Sequence, residues 1–110
     1  MRLIVLLAAC ATAPSHPANE PATLGAWCHE VGAAMCRALA DRCFNGMNSV
    51  AEGCSETVEA PCLAGRSRDA SAGRSYGELD QCVTHIRSLS CEGLGAGIGS
   101  GTLSQFCAAR

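Results

Sequence analysis

Several residue classes are scarce or missing in this chain of 110 residues. Lysine is absent, so all eight basic side chains are arginine, and the net charge is −2 at pH 7. Such a balance offers no basic patch for nucleic acid, and we expect no nucleic-acid partner. Aromatic residues are also few, with one Trp, one Tyr and two Phe. A small domain that buries so little aromatic surface usually needs covalent cross-links.

The chain also lacks an apolar run long enough to cross a membrane, which takes ~20 residues. Its most apolar stretch lies at the start, where Met1-Arg2 is followed by an apolar run from Leu3 to Leu7 and by two alanines. This order is typical of a secretory signal peptide. The run is shorter than the usual ~7–15 residues, so either the signal is compact or translation starts upstream.

The next four residues carry a more specific pattern. Leu7-Ala8-Ala9-Cys10 resembles the lipobox of bacterial lipoproteins at all four positions. The resemblance implies that residues 1–9 are a signal peptide, and that Cys10 carries diacylglycerol on its thiol and an acyl chain, such as palmitate, on its new amino terminus. The alternative is a buried N-terminal strand that ends in a packed cysteine.

Lipidation of Cys10 would hold the protein on a membrane outside the cytoplasm through its acyl chains. Ala11 follows, and in lipoproteins a residue other than Asp at that position implies sorting to the outer membrane, if the host has one. Residues 10–23 contain three prolines and no hydrophobic periodicity. They predict an extended tether that holds the domain tens of ångströms from the bilayer.

The remaining residues, 24–110, predict an all-α, disulfide-stapled domain of three helices. Apolar residues recur at spacings of three and four from Leu24 to Leu39, which favours a helix over residues 24–44. Similar periodicity predicts helices over 49–60 and 76–91. Residues 65–75 read as a mobile loop and 93–101 as a flexible glycine-rich return. Residues 102–108 are expected to form one or two short helical turns.

Eight cysteines follow Cys10, and in an exported domain they predict four disulfides with 105 possible connectivities. If the first two helices are antiparallel, the two residue numbers of each disulfide between them should add up to about the same value. That rule fits Cys28–Cys62 with Cys36–Cys54, and slightly less well Cys36–Cys62 with Cys43–Cys54. The first set leaves Cys43–Cys91, at the ends of helices expected to be parallel, and Cys82–Cys107. We prefer this scheme.

Candidate catalytic and metal-binding residues are few. His16 lies in the tether, and His29 and His85 are expected to be exposed on helices. Carboxylate pairs are conceivable between Glu56 or Glu59 and Asp41 or Asp80, but solvated helix faces explain these residues equally well. No cysteine pair has the short gap typical of structural zinc sites. We therefore predict no enzyme activity, no metal and no cofactor.

The cysteine-bearing segments resemble small cysteine-rich helical lipoproteins of high-GC bacteria such as myxobacteria. The resemblance rests on Met35-Cys36-Arg37-Ala38-Leu39 running to Cys43, on Tyr76 with Asp80-Gln81-Cys82, and on Leu89-Ser90-Cys91. That group has no established activity that could be transferred to this chain. The favoured hypothesis is a non-enzymatic surface-binding or structural role, with the membrane and an unknown protein or envelope component as partners. An inhibitor or immunity-type protein is the alternative, and a small envelope enzyme comes third.

Overall fold

The computed structural model of the chain describes residues 16–110. The predicted signal peptide, the lipobox with Cys10, and the first part of the tether lie outside the described residues. Signal cleavage and lipidation therefore stay predictions.

The longest helix, α1, spans Leu24–Cys43 and lies at the centre of the fold. Thr23 caps its start, since the hydroxyl accepts a hydrogen bond from the backbone N–H of Ala26 at 3.2 Å. The helix ends at Cys43, and the chain then turns through Asn45 and Gly46, which both have positive φ angles, 55° and 78°. The predicted bounds of 24–44 are confirmed within one residue.

Helix α2 spans Asn48–Leu63 and packs antiparallel to α1 across this short turn. It is four residues longer than predicted, one at its start and three at its end, so that Pro61 lies in the last turn. The helix stops at Ala64, which has a left-handed conformation. Ala51 is the buried residue of α2, and most other side chains are half-buried or exposed. Burial of apolar side chains therefore contributes little to holding α2 on the domain.

A two-stranded antiparallel sheet joins β1, Pro21–Thr23, to β2, Ser71–Ser75. The sequence predicts a tether at residues 21–23 and a mobile loop at residues 71–75, whereas the structure has a strand at each place. Ala22 and Ala72, in the two strands, are almost fully buried, and this burial draws both segments into the domain. The fold is thus mostly helical with a small sheet, and the all-α class holds approximately.

Three helices complete the chain: α3 at Tyr76–Ser88, α4 at Cys91–Ser100 and α5 at Thr102–Phe106. Residues 16–110 therefore hold five helices and not the predicted three. The helix predicted over 76–91 ends at Ser88, and Cys91 begins α4 instead of ending α3. A capping box starts α3, because Ser75 and Glu78 each bond the other's backbone N–H. Helix α4 occupies the glycine-rich stretch predicted to be a flexible return. Ser90 caps it, and Leu94 is fully buried, so tertiary packing offsets the weak helix propensity of glycine.

The hydrophobic core lies between α1, α3, α4, α5 and the sheet. Its fully buried centre contains the indole of Trp27 together with Leu24, Ile86 and Leu94. Within the described residues, no helix is both long enough and apolar enough to span a bilayer.

Candidate functional site

Four disulfides connect the elements, and they are the four pairs of the preferred scheme. Two bonds join α1 to α2, one joins the end of α1 to the start of α4, and one joins α3 to the C-terminal segment. Their Cα–Cα distances of 5.2 to 5.6 Å lie in the usual range. The bonds are Cys28–Cys62, Cys36–Cys54, Cys43–Cys91 and Cys82–Cys107.

The bonds differ in their exposure to solvent. Cys82 and Cys107 are 0% and 5% exposed, so their bond lies in the core. Cys43 is half-buried and Cys91 is exposed, which makes their bond the most accessible to a reductant. The Cys43–Cys91 bond is therefore a cross-link at the surface rather than a part of the core.

Arg74 fastens the C-terminal segment to the sheet. One of its guanidinium nitrogens, Nη1, donates to the backbone carbonyls of Phe106 at 2.8 Å and Ala108 at 3.0 Å, and Nε pairs with Glu78 at 3.1 Å. The guanidinium also lies 4.8 Å from the ring centroid of Trp27. Only 10% of the Arg74 side chain is exposed. Sequence reasoning missed this residue, because the two carbonyls and the indole that it contacts are remote in the chain.

Residues 16–20 pack on the start of α3 instead of extending away from the domain. The His16 ring stacks on Tyr76 with centroids 4.1 Å apart, and its Nδ1 lies 2.6 Å from a carboxylate oxygen of Glu20. The backbone N–H groups of Tyr76 and Gly77 donate to the carbonyls of Glu20 and Ala18, at 3.0 and 2.7 Å. His16, assigned to the tether from sequence, is thus the first described residue to contact the domain.

A shallow groove follows the exposed side of α1. It consists of two adjoining clefts, of about 570 and 610 Å³, which share the side chains of Glu30 and Arg87. Its floor in the first cleft is built from alanines, and its rim carries charges of both signs: Ala33, Ala34, Ala38, Ala51, Arg37, Asp41, Arg42 and Glu52. The groove is open to solvent and offers a mixed surface rather than an enclosed reaction site.

Most of the arginines on this rim are already engaged. Arg37 donates to the side-chain oxygen of Asn48 at 3.0 Å, and Arg42 donates to the carbonyl of Leu89 at 2.8 Å. Arg87 has no hydrogen bond or ion pair with another residue in the described part of the chain. The two engaged arginines therefore serve to join α1 to neighbouring elements.

Glu59 forms the centre of a charged cluster with Arg68 and His29. Its carboxylate is hydrogen-bonded to the guanidinium of Arg68 and lies 3.6 Å from Nδ1 of His29. The hydrogen bond from Arg68 is the main reason that the pKa of Glu59 falls below its usual value of 4.5. The cluster connects α1, α2 and the loop before β2.

The other candidate residues are dispersed. His29 is exposed, as expected, and His85 is exposed beside Phe106, with ring centroids 4.9 Å apart. Glu59 pairs with Arg68 rather than with Asp41 or Asp80. Across residues 16–110, no three His, Cys, Asp or Glu side chains come together in an arrangement that could hold a metal ion.

In comparisons with protein families, with curated proteins and with solved structures, nothing matched the chain. Function must therefore be argued from the residues themselves.

Proposed function

We propose that this protein is a lipid-anchored envelope protein with a non-enzymatic role, surface binding or structural, outside the cytoplasm. The observation that carries the proposal is the use of its cysteines. The eight from Cys28 to Cys107 pair with one another, so the disulfide framework does not need Cys10. The remaining cysteine is the one that ends the lipobox pattern.

The disulfide framework also supports export. Four disulfides in so short a chain suit an oxidising compartment and not the cytoplasm. Acyl chains on Cys10 would hold the protein in the membrane at ~0.8 kcal/mol per buried CH₂. Ala11 after Cys10 favours the outer membrane, if the host has one.

A binding role is supported by the turn between α1 and α2. Phe44 and Met47 flank this turn with 50% and 55% of their surface exposed, although large apolar side chains are usually buried. Asn45 and Gly46 between them hold the turn in a defined left-handed conformation. Two apolar side chains on a rigid, disulfide-supported turn form a candidate contact surface for a protein of the envelope.

Intact mass spectrometry tests the anchor. The full chain is expressed in a bacterium with a lipoprotein pathway, and the protein is extracted from the membrane fraction. We expect a chain that starts at Cys10, carries the mass of its acyl groups and lacks eight hydrogens. The Cys10→Ser variant should be unacylated and leave the membrane fraction. An unacylated wild-type protein refutes the anchor, and free thiols refute the disulfide framework.

Cross-linking to envelope extracts tests the contact surface. Purified wild-type protein should capture a discrete component that Phe44→Ser and Met47→Ser variants lose. Ile98→Ser is the matched control, because Ile98 is 42% exposed but belongs to α4 and not to the turn. Equal capture by all four proteins would refute a role for the turn.

A further inference from the structure

The packing of residues 16–20 shortens the distance at which the domain can stand from its anchor. With a tether running to residue 23, a Pro-rich chain would span roughly 40 Å, at ~3.1 Å per residue. Since His16 already contacts the domain, only six residue steps separate it from Cys10. Even fully extended, six steps reach at most roughly 20 Å.

This reach is shorter than the domain itself. Helix α1 has 20 residues and so measures about 30 Å along its axis. Residues 16–20 lie at its N-terminal end, because β1 runs directly into the helix. The turn with Phe44 and Met47 lies at the opposite end. An anchor at Cys10 thus holds one end of the domain close to the bilayer and leaves the other end free.

The surface at the held end suits the headgroup layer. Pro17, Ala18 and Asn19 are exposed and uncharged, so their approach to headgroups removes no charge from water. The nearby Tyr76 ring, stacked on His16, is amphipathic and of the type enriched at membrane interfaces. The one carboxylate of the segment, on Glu20, is in contact with His16.

We propose that the face formed by residues 16–20 and Tyr76, here named the anchor-proximal face, rests on the lipid headgroup layer. This orientation directs the α1–α2 turn away from the membrane. The inference rests on the proposed function, because it needs the acyl chains on Cys10.

Gly77 provides a way to perturb this face alone. A Cβ added at Gly77 would lie 2.9 Å from the carbonyl oxygen of Ala18, so Gly77→Ala should displace residues 16–20 from α3. Alanine otherwise favours a helix. Residues 16–20 would then add to the tether, which would extend from Cys10 to the start of β1. Gly95→Ala on α4 is the matched control, because its added Cβ meets nothing within 4 Å.

Paramagnetic broadening in nuclear magnetic resonance spectra tests the orientation. The acylated full chain is placed in lipid nanodiscs of phosphatidylethanolamine and phosphatidylglycerol that contain a small fraction of gadolinium-chelating lipid. We expect the amide signals of residues 18–20 and 77–78 to be lost while those of residues 45–47 keep their intensity. In Gly77→Ala the signals of residues 77–78 should recover, and in Gly95→Ala they should stay lost.

The possible failures can be separated. Intact mass of the same sample reports whether Cys10 is acylated, and an unacylated chain overturns both the proposed function and the orientation. An acylated chain whose two ends broaden equally, or whose residues 45–47 broaden more, overturns the orientation alone. So does an acylated Gly77→Ala variant that broadens like the wild type while residues 16–20 are displaced.

Discussion

Removal of the Cys43–Cys91 bond should cost stability almost entirely through the unfolded chain. The bond closes the longest loop of the four, with a sequence separation of 48. A disulfide restricts the unfolded ensemble, and a loop of that length corresponds to about 4 kcal/mol at 25 °C. Because Cys91 is exposed and Cys43 is half-buried, a double change to alanine removes little packed surface. The whole effect should therefore be chain entropy.

Denaturant unfolding without reductant measures this effect. The Cys43→Ala/Cys91→Ala variant should lose about 4 kcal/mol in its free energy of unfolding, which is a large part of the total for a small domain. The melting temperature should fall by roughly 15–30 °C, since each kcal/mol moves it by 4–8 °C in a domain of this size. The matching double change to serine should give the same result, because solvent already reaches both positions.

Two outcomes would refute the reasoning. A loss below about 1 kcal/mol would mean that the bond hardly restricts the unfolded chain, against the entropy argument. A serine variant much less stable than the alanine variant would mean that the cysteines contribute packing that their exposure does not indicate. The second result would move the Cys43–Cys91 bond from a surface cross-link into the core.

Three further predictions concern charges and backbone. Arg74→Gln should lower the free energy of unfolding by about 2–3 kcal/mol in denaturant titrations, because it removes charge-assisted hydrogen bonds to the C-terminal segment; an unchanged midpoint would contradict that role. The lowered pKa of Glu59 stabilises the fold above the unfolded pKa, so stability should fall as pH drops through the folded pKa, and Glu59→Gln should flatten that part of the pH profile. Gly73→Ala should cost more than Gly65→Ala in melting temperature, since both have positive φ but only the first adds a Cβ 2.7 Å from Arg110; equal losses would leave strain alone as the cause.

The helical part of the fold was predictable because its signals are local. Leu24 to Leu39 repeat with the helical period, Asn45-Gly46 stop the helix, and Ser75 with Glu78 start α3. Glycine-rich α4 could not be found this way. Its propensity is weak, and it forms because Leu94 is buried and Cys91 is bonded to α1.

The sheet lacked a local signal for a different reason. Each strand is short, and the partners are about fifty residues apart, so neither shows an alternating pattern long enough to recognise. Ala22 and Ala72 become buried together only when the chain has folded and the two strands have paired. Tyr76 and Gly77, which directly follow β2, bind residues 16–20 and so remove most of the expected tether.

By itself, the sequence determined the number of cysteines, the lipobox pattern that ends at Cys10, and the antiparallel geometry from which the disulfide scheme was argued. These depend on counts and spacings along one chain. The tertiary structure alone decided that Arg74 holds the C-terminus and that His16 stacks on Tyr76. These contacts join residues far apart in the chain, and their energies exist only once the core has formed.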